Sequence, residues 1–159
     1  LCLIGNKKEH KHLSIEKAVL RALYHDAAEI LTGDMPTPVK YRKEELKTAY
    51  KKVEKEAEER LLSTLPPYLT EEIRGVFFPE EYETLAYENQ LIKAADKLSA
   101  WIKCEEELRA GNREFETAAL STRKKIEEMA ETLPEVRIFL DDFYAAYGKT
   151  LDQLTEEAD

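Results

Sequence analysis

Between Ile15 and Ala28 the sequence IEKAVLRALYHDAA returns apolar residues at spacings of three and four. That is the period of a helix buried on one face. On a wheel of about 100° per residue with Ile15 at the origin, Val19 falls at about 40°, Ala22 at about 340° and Ile30 at about 60°. Ser14 stands at the N-cap position, with Glu16 in the first turn. The spacing therefore predicts a helix from about Ile15 to Ala28. A rigid loop should follow through Thr32-Gly33-Asp34 and Pro36-Thr37-Pro38, because proline fixes φ and glycine admits unusual backbone angles.

Farther along, a Lys- and Glu-rich helix is predicted from about Lys43 to Thr64, stopped by Pro66-Pro67. Short and long helices are predicted from about Thr70 to Val76 and from about Thr84 to Ala110, the latter ended by Gly111-Asn112. Two more are expected from about Glu114 to Glu131 and from about Glu135 to Tyr147, with Gly148 as the last stop. No alternating strand pattern and no internal repeat interrupts this reading. The expected fold is all-α.

A chain of 159 residues is long enough to bury a core and is expected to form one domain over its whole length. It has no run of about 18 apolar residues that would read as a membrane span, and no secretory signal. Cys2 and Cys104 lie far apart and fit no zinc spacing, so a reducing cytoplasm is the plain expectation. The net charge of −9 argues against a nucleic-acid polymer as partner. It does not argue against a single nucleotide held through a metal ion.

The wheel poses a chemical question. Asp26 falls at about 20°, in the middle of the apolar stripe, with His25 at about 280° and Glu29 at about 320° beside it. A lone ionised carboxylate pressed into a core costs several kcal/mol unless it is paired or ligates a metal. A helix end or an arginine could satisfy it, and a solitary His-Asp pair would ordinarily be read that way. Three features favour chemistry instead: Glu29 shares the face, Asp34 follows in a constrained loop, and Asp96 interrupts the downstream helix QLIKAADKLSAWIKCEEEL. In that helix Leu91, Ala95, Leu98 and Ile102 form the expected apolar stripe, with Asp96 beside it near Ile92 and Ser99. Imidazole nitrogen with carboxylate oxygens suits Mn²⁺, Co²⁺, Mg²⁺ or Zn²⁺.

The pair His25-Asp26 followed by Asp96 resembles the HD superfamily of metal-dependent phosphohydrolases, whose pattern is H…HD…D. The blocks YHDAAEILTGDMPTPVKY and IKAADKLSAWIKCEEELRAGNREF closely resemble the YfbR-like 5′-deoxynucleotidases, a likeness running from about Ala18 to Phe115. The resemblance implies an HD-domain helical bundle, with His25, Asp26 and Asp96 as three of four protein ligands to a divalent metal. It implies Glu29 as the catalytic acid residue, and Asp34, Met35, Pro36 and Thr37 as the loop that contacts the nucleotide. Asp34 would hydrogen-bond the substrate or the attacking water.

The family's first ligand histidine and its Arg-Trp pair would lie upstream of Leu1. The chain is therefore expected to be a single HD domain lacking its N-terminal helix or helices. The implied activity is release of phosphate from deoxynucleoside 5′-monophosphates, in a homodimer.

Other residues read more plainly. His10 and His12 sit in the polar stretch GNKKEHKHLS and are expected as exposed loop histidines. Lys40 is expected to be solvated, Trp101 to lie in the core, and the Lys-Glu run from Lys43 to Arg60 to form a solvated face. Two alternatives stand beside the deoxynucleotidase reading: an HD phosphohydrolase of another nucleotide or phosphomonoester, and a non-catalytic helical interaction module.

Overall fold

The computed structural model describes residues 1–40, 42–78 and 86–156, and these are helical with no strand among them. The chain divides into two compact units, one formed by residues 1–15 with the segment from Tyr87 onward, the other by Glu16–Ala86.

The smaller unit carries α2 (Ile15–Tyr24), α3 (Glu29–Thr32), α4 (Thr37–Lys40), α5 (Glu44–Ser63) and α6 (Pro67–Phe77); α1 (Cys2–Lys8) precedes them in the other unit. Helix α5 lies where the charge pattern placed it, but the expected loop is shorter: Thr32 ends α3, and Thr37 and Pro38, expected in the loop, open α4, where a proline in the first turn costs no hydrogen bond. Helix α6 begins three residues before the expected Thr70 because Pro67 occupies its first turn, where a missing N–H costs nothing. Leu62 of α5 packs with Val76, Phe77 and Phe78, and Ala27 joins them from the turn after α2. Arg21 of α2 donates to the carbonyls of Val76 and Phe77, satisfying the end of α6.

The stretch holding His25 and Asp26 departs from expectation. Helix α2 stops at Tyr24, four residues before the predicted Ala28. Residues 25–28 form a turn held by bonds from the amides of Ala27 and Glu29 to the carbonyls of Tyr24 and Asp26, at 3.0 and 2.9 Å. The His25 ring engages the Ala22 carbonyl, a side-chain bond of the kind that competes with helical pairing. The turn directs Ala28 inward and leaves the Asp26 side chain 58% exposed, so Asp26 does not sit in an apolar core. The wheel also misplaces the buried face: within α2 Ala18 is buried while Val19 is 62% exposed, and beyond the turn Ile30 is 76% exposed.

The larger unit holds α1, α7 (Ala86–Arg109), α8 (Glu116–Ala130), α9 (Pro134–Phe143) and α10 (Leu151–Glu156), with 3₁₀ turns at Arg113–Phe115 and Tyr144–Ala146. The expected start of α7 at Thr84 lies outside the described residues. The stripe of α7 is Leu91, Ala94, Leu98 and Trp101, not the predicted one through Ala95 and Ile102. Trp101 is in the core as expected, stacked on Tyr144 with ring centroids 4.3 Å apart. Burying this one large ring turns the helix enough to expose Ala95.

Glu135, wholly buried in the first turn of α9, accepts from Lys11 Nζ at 2.7 Å and from the Tyr87 hydroxyl at 2.8 Å. Burial alone would lift its carboxyl; Lys11, its own backbone amide and Tyr87 outweigh that and hold it below the ordinary carboxylate range. Burial likewise works against the Lys11 ammonium, but Glu135 and Tyr87 raise it on balance. Glu135's contribution is therefore complete above its unfolded pKa and lost as pH falls through the lowered folded one. Lys11's is complete below the unfolded amine pKa and lost as pH rises through the raised folded one.

Lys11→Met should lower unfolding stability by about 1–3 kcal/mol at neutral pH, because it removes the cation from a buried carboxylate and leaves it only Tyr87 and its own amide as donors. Glu135→Gln should flatten the acid limb of the stability profile. Urea unfolding of both variants from neutral pH down to about pH 3, through the carboxylate range at about pH 4, checks the pair; an unchanged acid limb in Glu135→Gln would refute it.

Candidate active site

His25 follows the last residue of α2. Its Nδ1 lies 2.6 Å from the Ala22 carbonyl. A carbonyl only accepts, so Nδ1 carries the hydrogen, and in the neutral ring Nε2 presents a lone pair. That Nε2 is buried and makes no hydrogen bond, yet Asp26 Oδ2 stands 2.9 Å away without hydrogen-bond alignment. At this distance the two atoms attract only with a positive charge between them, either a proton on Nε2, which makes an ion pair, or a metal ion. Two ligand atoms held about 2.1 Å from one divalent ion at right angles are about 3 Å apart, which matches the observed separation. The Nδ1 bond to a backbone carbonyl is also the support that orients metal-ligating imidazoles. The pair fits a metal ion.

Glu29 opens α3 four residues after His25, half-buried. Burial chiefly, then the charges of Asp26 and Asp34, push its carboxyl above the ordinary range; Glu54 adds to this and Lys40 opposes it. Glu29, Asp26, Asp34 and Glu54 thus share one neighbourhood with one ammonium. Such a cluster repels phosphate unless a cation offsets it.

The loop begins at Gly33, whose φ of 72° and ψ of 161° close α3 in a conformation essentially restricted to glycine. Asp34 is exposed, Met35 half-buried and Pro36 exposed; the Pro36 carbonyl accepts from the amides of Val39 and Lys40 at 2.8 and 3.0 Å. Thr37 begins α4, and its side chain lies outside the described part.

Asp96 is placed differently. It belongs to α7 of the larger unit, is exposed, and pairs with Lys97 Nζ at 2.9 Å. Among the described residues no three His, Cys, Asp or Glu side chains are grouped to hold a metal. His10 and His12 are exposed, as the polar stretch implied, although its first residues, Gly5 to Lys8, belong to α1.

Lys40 corrects the sequence reading. It is not simply solvated: its ammonium lies 2.7 Å from Glu54 and its side chain is 22% exposed. Two further residues escaped notice, Glu54 and Tyr50, one turn apart on α5. Their i,i+4 spacing was visible, but the loop they face was not.

An all-helical chain with an adjacent His-Asp pair at a helix break, an acid on the next turn and a Gly-Asp loop has the build of an HD-type phosphohydrolase. The profile of the YfbR-like 5′-deoxynucleotidases matches residues 1–147, and the chain belongs to that family. A protein named 5′-deoxynucleotidase from Vibrio vulnificus is 42% identical over 156 residues, covering 98% of this chain and 78% of that protein. One of the same name from Shewanella oneidensis is 42% identical over 158 residues, with the same coverage. Another, from Erwinia tasmaniensis, is 39% identical over 160 residues, covering 99% and 78%. No helix among the described residues is long and apolar enough to cross a membrane.

Proposed function

We propose that the chain is a metal-dependent 5′-deoxynucleotidase, releasing orthophosphate from deoxynucleoside 5′-monophosphates. The observation that carries this reading is the buried, unbonded Nε2 of His25 standing 2.9 Å from an Asp26 oxygen, in a chain of this family. His25 and Asp26 would hold the ion, and the sequence resemblance adds Asp96 as a third ligand. When bound, Co²⁺, Mn²⁺, Mg²⁺ or Zn²⁺ supplies positive charge at the phosphoryl group and makes water there more acidic.

In the reaction the water oxygen bonds to phosphorus, the bond from phosphorus to O5′ breaks, and O5′ takes up a proton. Glu29, on the turn after the pair, moves that proton or positions the water. Asp34 hydrogen-bonds the substrate or the water, with Met35, Pro36 and Thr37 completing the nucleotide contact. The sequence resemblance adds a homodimer to this reading, and the cysteine spacing in sequence adds a reducing cytoplasm.

Two measurements test the proposal. Phosphate release over a panel of deoxy- and ribonucleoside mono- and triphosphates should favour the deoxynucleoside monophosphates; preference for another member would make the chain a different phosphohydrolase. A melting curve with added Co²⁺ or Mn²⁺ should rise, because an ion that binds only the native state stabilises it. No rise and no turnover would leave a helical interaction module.

A further inference from the structure

The Tyr50 side chain is 8% exposed, and its hydroxyl is committed to the loop after α3. It donates to the Gly33 carbonyl at 2.6 Å and lies 3.3 Å from Thr32 Oγ1. The Gly33 carbonyl and the Asp34 amide belong to one planar peptide group, so fixing the carbonyl also fixes the Asp34 N–H and the direction in which the chain leaves. That peptide needs an anchor. Gly33 holds φ 72° and ψ 161°, and a Cβ placed there would touch nothing within 4 Å, so packing around the glycine does not hold it. The far end of the loop returns to the same tyrosine: Lys40 Nζ lies 4.9 Å from the centre of the Tyr50 ring and 2.7 Å from Glu54, one turn along α5. Both ends of the segment from Gly33 to Lys40 are thus pinned to one face of α5.

We propose that Tyr50 is a positioning residue for the nucleotide-contacting loop, setting the Gly33-Asp34 peptide so that Asp34 meets the substrate. This rests on the reading of Asp34 given above. Tyr50 touches no reacting atom. Its effect is on how well the loop is preorganised, and loosening a preorganised contact weakens binding of ground state and transition state together.

The test is a double-mutant cycle of Tyr50→Phe and Asp34→Asn, with kcat and KM measured on a deoxynucleoside monophosphate in the metal-loaded enzyme. Tyr50→Phe keeps the buried ring and removes only the donor. It should raise KM about three- to tenfold, the size of one hydrogen bond, with kcat within about twofold and metal content unchanged. In the Asp34→Asn background the same change should alter KM by less than about twofold, because the tyrosine acts through Asp34.

A Tyr50→Phe enzyme that melts earlier but keeps its KM would overturn the proposal, leaving a structural hydrogen bond. So would an effect undiminished in the Asp34→Asn background. If Asp34→Asn itself leaves both kcat and KM unchanged, the loop assignment fails and the positioning role falls with it. If Asp34→Asn raises KM and Tyr50→Phe does not, the loop assignment stands and only the role of Tyr50 fails.

Discussion

Asp26→Ala should strip the protein of its divalent ion and, with it, of measurable phosphate release. His25 and Asp26 present their donor atoms 2.9 Å apart, and neither residue can be replaced by its neighbours. Ala27 and Ala28 carry no ligand, and the Glu29 side chain leaves from the next turn. Even residues that only support metal ligands cost about 10–100-fold in affinity when removed, so loss of the ligand itself should exceed that. His25→Ala should behave the same way.

Asp96→Ala is the discriminating member of the series. If Asp96 is a ligand, it loses metal as Asp26→Ala does. If its only partner is Lys97, a solvent-exposed pair of this kind is worth at most about 1 kcal/mol, and metal content and turnover should both survive. Elemental analysis of the purified variants, with the Co²⁺-dependent rise in melting temperature as a second readout, checks all three. Full metal occupancy in Asp26→Ala would sink the assignment of the pair.

Glu29→Gln should retain fold and metal yet lose turnover by about 10²–10⁴-fold, the range that general acid-base groups contribute. The swap is nearly isosteric. Glu29 begins α3, and its backbone amide, which donates to the Asp26 carbonyl at 2.9 Å, is untouched by the change. What disappears is a group able to carry a proton. Were Glu29 a structural partner of the turn instead, the variant would melt earlier or bind metal poorly, while each metal-loaded molecule turned over normally. Measuring kcat per bound metal beside a melting curve separates the two outcomes. A full-rate, metal-loaded variant would pass the proton-moving role to Asp34, the next acid in reach of the loop.

Most of the helical layout was legible because it depends on local signals. Glu and Lys spacing and a proline stop define α5, and Gly111 and Gly148, at φ of 90° and 97°, mark chain reversals that other residues resist. The family signature was equally legible, since His25-Asp26, Glu29, Gly33-Asp34 and the proline loop are contiguous in sequence.

The environment of those residues was not legible. A wheel assumes an unbroken helix, and one ring-to-carbonyl contact at His25 was enough to make that assumption false. The predicted face was off within α2 already, where Ala18 rather than Val19 is buried, and beyond the break Asp26, expected in a core, stands 58% exposed. The stripe of α7 was misread for a related reason. Two apolar faces compete on that helix, and burial of Trp101 against Tyr144, 43 residues away, decides between them.

The sequence by itself marked six helices, α2 and α5 to α9, though not α3, α4 or α10, and showed which chemistry-bearing residues stand together along the chain. Each of these is fixed by interactions within a turn or two. Only the tertiary structure decided that the Nε2 of His25 is left unbonded beside a carboxylate, that Lys40 belongs to Glu54, and that Tyr50 holds the Gly33 carbonyl. The Lys40 and Tyr50 contacts join residues 14 and 17 positions apart, brought together by packing of α3 and α4 against α5, whereas the His25-Asp26 approach is set by the turn at residues 25–28.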